Sequence, residues 1–191
     1  MSTPSTLYIF SGLPGVGKTT LAKALANSIK ATYLRIDTIE QGIRDLCDFK
    51  VEGEGYRLAY KIASDNLLLG NNVIADSCNP IKLTRNEWQE VAVTANASFV
   101  NIEIICSIKE IHKQRATSRS SDIPNLNLPR WQNILEREYD EWIEEHIIID
   151  TSEKTPIECF DELKEKLKVD YRYKKGHSIP SDMRSNFPTC R

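Results

Sequence analysis

Gly12-Leu13-Pro14-Gly15-Val16-Gly17-Lys18-Thr19-Thr20 is the most informative stretch of this 191-residue chain. It follows Leu7-Tyr8-Ile9-Phe10, a short apolar run closed by Ser11-Gly12, which reads as a buried strand. Behind it, Lys18 to Lys30 places Leu21, Leu25 and Ile29 four apart, the spacing of an amphipathic helix. The stretch therefore matches G-x-x-x-x-G-K-S/T between a strand and a helix, the setting that a phosphate-binding P-loop needs. Gly12, Gly15 and Gly17 let the backbone take positive φ and approach phosphate oxygens. Backbone N–H groups of this loop then surround the phosphate at the positive end of the helix. Lys18 supplies an ammonium for β- and γ-phosphates, and the Thr19 hydroxyl a ligand for Mg²⁺.

Outward from this loop, strand and helix signals alternate. Strands are expected at 32–36, ending in Asp37, at 72–75, closed by Asp76, at 99–106, and at 147–149, ending in Asp150. Helices are expected at 57–69, with Leu58, Ile62 and Leu69 on or near one face, at 84–95, at 109–119, and as a charged helix over 130–145. A last helix runs from Pro156 to about Val169, with Thr155 as its cap. Such alternation predicts right-handed βαβ units. The expected fold is an α/β P-loop NTPase, a three-layer αβα sandwich with a mostly parallel five-stranded sheet and a small helical lid over about 115–131. In these sheets ligands bind beyond the carboxyl ends of the strands, so Ser11, Asp37, Asp76, Ser107 and Asp150 become site candidates.

The length suits one domain, expected over 1–170, followed by a tail over 171–191. That tail carries Arg172, Lys174, Lys175, Arg184 and Arg191 against Asp182 alone, so the net charge of −2 conceals an acidic body. An acidic body disfavours nucleic acid as partner, and leaves any such acceptor dependent on the basic tail. No apolar run approaches the ~20 residues needed to cross a bilayer, and no leader peptide is visible. Five scattered cysteines form no C-x-x-C pair, which fits reduced thiols and a cytoplasmic location. His112, His146 and His177, flanked by charge, read as surface residues.

The chain lacks the guanine-reading N-K-x-D of GTPases, which favours ATP, and the L-S-G-G-Q signature of ABC ATPases. Four further features accompany the P-loop. They are Arg35-Ile36-Asp37 with Arg44, Ile74-Ala75-Asp76-Ser77-Cys78-Asn79, Arg115 with Arg119, and Pro129-Arg130-Trp131 leading into Arg137-Glu138-Tyr139. On these the chain resembles, over about 7–168, the P-loop kinases of the AAA_33 type. That group is related to zeta toxins, chloramphenicol phosphotransferase, gluconate kinase and polynucleotide kinases.

A carboxylate at Asp37 can accept the proton of an attacking hydroxyl; it can equally cap the helix that starts with Thr38. Asp76 after an apolar strand is the Walker-B arrangement for Mg²⁺, or a strand-end turn residue. The resemblance implies that Arg44 binds substrate and that Ser77 and Asn79 line the acceptor pocket. It also implies that Arg115 and Arg119, four apart on one helix face, open a lid and stabilise the transferring phosphoryl group, with Arg130 and Arg137 as further basic candidates. The same two arginines read without it form a solvated helix face. Asp150-Thr151-Ser152 falls where related folds recognise adenine. The resulting expectation is an ATP- and Mg²⁺-dependent kinase acting on a hydroxyl of a small molecule. A polynucleotide 5′-hydroxyl kinase and a nucleotide-binding regulatory ATPase are the alternatives.

Overall fold

A computed structural model describes residues 4–174, with side chains to residue 168. Five strands, β1 (Thr6–Ser11), β2 (Thr32–Arg35), β3 (Val73–Asp76), β4 (Ser98–Ile105) and β5 (Ile147–Asp150), form one sheet in the order β2-β3-β1-β4-β5. Every pairing is parallel, with Phe10 opposite Asp76 and Arg35 opposite Asp76 at the carboxyl ends. Central β1 is buried along its whole length, as a strand covered on both faces must be.

Alternation along β1 assigns the two cores. Tyr8 and Phe10 join Ile74, Ile102 and Ile104 beneath α1 (Lys18–Ile29) and α7 (Pro156–Lys174), which supply Leu21, Leu25, Cys159 and Leu163. Leu7 and Ile9 face the opposite layer, α3 (Glu54–Leu68) and α4 (Lys82–Thr94). There the buried stripe of α3 is Gly55, Ala59, Ala63 and Leu67, while Leu58 and Leu69 are 42% and 78% exposed. The expected Leu58–Ile62–Leu69 face is thus corrected: Ile62 packs against this core, but the inner stripe runs through small residues to Leu67, which lets α3 lie close on the sheet and leaves Leu58 and Leu69 outside.

Two boundaries also move. The expected charged helix over 130–145 reduces to α6 (Trp131–Leu135). Beyond it the backbone bonds elsewhere: the Asp140 N–H donates to Pro80 O at 2.8 Å, and the Arg85 guanidinium donates to Asp140 O at 2.8 Å. A helix would need those same groups. At the end of the described chain α7 continues past Val169 to Lys174, since no glycine or proline intervenes before Gly176. It starts with a reciprocal cap, the Thr155 N–H donating to Glu158 Oε2 at 2.8 Å and the Glu158 N–H to Thr155 Oγ1 at 3.3 Å. The tail beyond Lys174, with His177 and Cys190, lies outside the described residues. Among the described residues, no helix is long and apolar enough to cross a membrane.

Candidate active site

The P-loop joins β1 to α1 with all three predicted glycines at positive φ, Gly12 at 132°, Gly15 at 91° and Gly17 at 101°. A side chain at Gly12 would collide with the Ile104 carbonyl, and its N–H donates to Cys78 O at 3.0 Å. At Gly15 a Cβ would press on Ala116 at 3.0 Å. Ala116 belongs to α5 (Lys109–Ser118), one turn after His112, whose Nε2 lies 2.9 Å from Pro14 O. His112 is 7% exposed, so the expectation of a surface histidine is corrected: its ring braces the P-loop and packs edge-on against Trp131. Helix α1 begins at Lys18 with no capping side chain and no acidic residue in its first turn. Its first N–H groups and its positive end are thereby left for an anion. Lys18 is buried and donates from Nζ to Leu13 O at 3.1 Å, an arrangement that holds the ammonium over the loop.

The loop opens into a cavity of about 770 Å³. Lys18, Thr19 and Thr20 line one end, and Asp37, Arg44, Asp76, Cys78 and Tyr56 line the rest. Arg115, Arg119 and the segment 126–129 also line it. One space therefore collects most of the sequence-derived candidates from four separate chain segments.

Individual side chains differ from expectation in instructive ways. Asp37 caps no helix starting at Thr38; the strand ends at Arg35 and α2 (Ile36–Cys47) begins at once, because Ile36 turns into the core at 3% exposure. Asp37 stands in the first turn of α2, exposed to the cavity. Asp76 ends β3 at 3% exposure and accepts the Tyr33 hydroxyl on Oδ2 at 2.6 Å. Burial and the adjacent Asp76 carboxylate push the Tyr33 hydroxyl far above its ordinary range, so it remains a donor. Arg44 pairs with Glu40 at 3.1 Å, one turn earlier on α2. Burial raises the Glu40 carboxyl, and Arg44 offsets part of that rise.

Arg115 and Arg119 do not share one helix face. Arg115, within α5, donates from Nη1 to Thr151 Oγ1 at 2.9 Å and from Nη2 to Thr151 O at 3.0 Å. Thr151 Oγ1 in turn donates to Val16 O at 2.8 Å, so Arg115 reaches the P-loop through one threonine. Arg119 follows the helix as its extended C-cap, and α5 is over before its side chain departs. Burial depresses the Arg119 guanidinium, while Asp37 across the cavity acts against that depression; its Nε has no protein partner.

Asn79 is a correction. Its side chain is fully buried and donates from Nδ2 to Phe10 O at 2.8 Å, holding a left-handed turn at φ 43° rather than lining the acceptor space. Ser77 and Cys78 do line it. Ser11 and Ser107 lie off the cavity, Ser107 being bonded to Asp150. Burial raises the Asp150 carboxyl, but hydrogen bonds from Ser107 and Ser152 prevail and hold it at about 2. Arg137 lines the cavity and Arg130 does not. Residues without an assigned role in the sequence also reach this space, among them Tyr56, Gln41 and Asp122. Isolated polar residues on loops and helix faces carry no periodic signal that could have singled them out.

The model of an AAA domain family, AAA_33, matches residues 7–137. A protein of Pyrococcus furiosus named "Putative adenylate kinase" is 30% identical over 159 residues, covering 82% of this chain and 81% of its own. Among solved structures, a gluconokinase from Sinorhizobium meliloti 1021 aligns with a TM-score of 0.64 at 16% identity, over 93% of this chain and 100% of its own. The Mycobacterium tuberculosis APS kinase CysC, solved in complex with AMPPNP and APS, aligns with a TM-score of 0.63 at 17% identity, over 87% and 99%. These likenesses give the fold: a P-loop kinase sheet with its nucleotide loop after the first strand. The chain belongs to the AAA_33 family of P-loop, kinase-like nucleotide-binding domains.

Proposed function

We propose that the protein is an ATP- and Mg²⁺-dependent kinase that moves the γ-phosphoryl group to a hydroxyl of a small molecule. The observation that carries this reading is the single cavity onto which the P-loop, Asp76, Asp37 and Arg119 all open. A binding protein without an acceptor has no need of a carboxylate and a guanidinium beyond the phosphates.

The P-loop suits a nucleotide's phosphates. Its glycines hold positive φ where a Cβ would strike Ile104 or Ala116, which keeps the loop in its turn, and the uncapped start of α1 supplies N–H donors. Lys18 would turn from the Leu13 carbonyl to the phosphates. For Mg²⁺ the donor chemistry fits: the Thr19 hydroxyl and the Asp76 carboxylate are hard oxygens, and no group of three or more His, Cys, Asp or Glu that could hold a metal occurs among the described residues. Magnesium characteristically takes one or two carboxylates and keeps its waters. When bound, it neutralises charge on the phosphate oxygens. The Tyr33 hydroxyl orients Asp76 from behind through Oδ2.

Asp37 receives the proton of the acceptor hydroxyl as its oxygen bonds to the γ-phosphorus and the bond to the β-phosphate oxygen breaks. Arg119, with its unpartnered Nε, would meet the charge spread over the equatorial oxygens. Arg115, held to Thr151 and through it to Val16, fixes the P-loop beside the nucleotide. The segment over about 115–131 serves as the lid that excludes water. The kinase domain would span 1–170, with a basic stretch over 171–191 whose first residues, through Lys174, continue α7.

The Pyrococcus relative's name supports a second reading, in which the acceptor is a phosphate rather than a hydroxyl. A phosphate acceptor has no proton to give up, so the two differ at Asp37. The test is ADP release across a panel of sugars, sugar acids, nucleosides and nucleoside monophosphates, in the parent and Asp37→Asn. A hydroxyl acceptor predicts a ~10²–10⁴-fold loss in the variant. Turnover with a monophosphate that survives Asp37→Asn would instead favour the second reading.

A further inference from the structure

The cations around the cavity are not held alike. Lys18 rests on its own loop, Arg44 pairs with Glu40 on its own helix, and Arg115 is fixed to Thr151. Arg35 is different. It is the last residue of β2, directly opposite Asp76 in the sheet, and its side chain is only 13% exposed. Its Nη1 donates to Asp122 Oδ1 at 2.7 Å, while its buried Nε has no partner. Asp122 belongs to the irregular segment between α5 and α6 and is 57% exposed. The same carboxylate bonds Lys23 of α1 through Oδ2 at 2.7 Å. One exposed carboxylate on a loop therefore bridges two elements and covers a largely buried guanidinium. The Lys23 and Arg35 cations together hold the Asp122 carboxyl far below the usual range.

We propose that Arg35 is the acceptor site's anion-recognising residue, and that the Asp122 carboxylate occupies its place until an acceptor bearing a carboxylate or phosphate displaces it. The proposal rests on the kinase reading above and adds the class of acceptor: a small molecule with an anionic group apart from the reacting oxygen. A guanidinium takes two coplanar oxygens at once, end-on through Nη1 and Nη2 or side-on through Nη2 and Nε. Asp122 uses Nη1 only, so an incoming anion that spans Nη1 and Nη2 makes one hydrogen bond more than Asp122 does. Displacement exchanges one anion for another on the same guanidinium, and Asp122, itself 57% exposed, regains water when it leaves. It also frees the segment that carries Asp122 from both β2 and α1, which ties acceptor binding to movement of the lid. The neighbours of Arg35 are Asp76, Tyr33 and Asp122 as attractive partners and Arg119 as a like charge.

The test saturates the P-loop first. Binding of Mg·AMP-PNP to the full chain is measured by calorimetry; no binding would overturn the kinase reading itself. With AMP-PNP in place, inorganic phosphate is titrated into the parent, Asp122→Asn, Arg35→Gln and the double variant. The expected result is phosphate binding about fivefold tighter in Asp122→Asn, where no carboxylate competes for the Arg35 guanidinium. Arg35→Gln loses phosphate binding and keeps AMP-PNP affinity. The double variant resembles Arg35→Gln, whereas a general effect of removing negative charge would persist in it. Acetate competing as well as phosphate assigns a carboxylate-tolerant site, and phosphate alone a phosphate site. Unchanged affinity in Asp122→Asn, a gain retained in the double variant, or a loss of AMP-PNP rather than phosphate binding in Arg35→Gln each overturns the proposal.

Discussion

Replacing Arg85 by methionine perturbs the fold at the point where the turn after β3 meets the segment following α6. Arg85 is fully buried, and its hydrogen bonds run to backbone carbonyls: Asn79 O at 2.9 Å, Asp140 O at 2.8 Å, Pro80 O at 3.1 Å and, more weakly, Glu141 O at 3.5 Å. Its guanidinium also lies 4.1 Å from the Trp142 ring centroid and 5.0 Å from that of Tyr139. Methionine fills the space but leaves the Asn79 and Asp140 carbonyls without a donor, each costing ~1–3 kcal/mol, while Pro80 O keeps the Asp140 N–H. The two ring contacts add ~1 kcal/mol or more. Against this stands the relief of no longer burying a charge, which often makes the removal of whole buried ion pairs neutral. Here no carboxylate leaves with the cation, so the orphaned carbonyls outweigh that relief, and the net loss comes to ~4 kcal/mol. In a domain of this size that lowers the melting temperature by ~8–16 °C. Urea denaturation followed by circular dichroism measures the loss directly. Arg85→Lys, with one point charge for a planar fork, restores at most half of it. An Arg85→Met protein within 1 kcal/mol of the parent would refute the reasoning, as would full rescue by lysine.

Gly15→Ala places a Cβ against the Ala116 backbone at a φ of 91°, and should weaken AMP-PNP binding ~10-fold or more by displacing the P-loop, as read by calorimetry. Thr155→Ala removes one half of the reciprocal cap of α7 and should cost ~1 kcal/mol in urea denaturation, with glycine there closer to neutral. Asp150, held at about 2 by Ser107 and Ser152, has a folded value below that of the unfolded chain, ~3.9. Its contribution to stability is complete above pH ~4 and fades as pH falls through about 2. Asp150→Asn should flatten that acid limb, and an unchanged limb would contradict it.

The sheet and the P-loop were legible because each rests on a local rule. Apolar runs give strands, and glycines at fixed spacing before a lysine give a loop at positive φ. Where the sequence misled, tertiary structure had overridden a local cue. Helix α3 hides alanines and exposes Leu58 because close approach to the sheet outweighs side-chain size. The acidic series after Leu135 reads as a helix face, yet Arg85, remote in sequence, withdraws the carbonyls a helix would use. In the site, Asp37, Asp76, Arg44, Arg115 and Arg119 do reach one cavity, but their partners were not readable. Nothing in the spacing says that Arg115 grips Thr151, or that Asn79 turns inward to Phe10. His112 was misread for the same reason, since its charged neighbours face solvent while its own ring meets Pro14.

The central claim is that this cavity transfers a phosphoryl group and that Lys18 is indispensable to it. The most direct measurement follows labelled γ-phosphate from ATP into an acceptor, for the parent and for Lys18→Ala with its fold checked by circular dichroism. The account predicts a labelled product with an anionic hydroxyl compound, and a loss of ~10²–10³-fold or more in the variant with its fold intact. Label appearing only as inorganic phosphate whatever the acceptor, or transfer undiminished in Lys18→Ala, would contradict it.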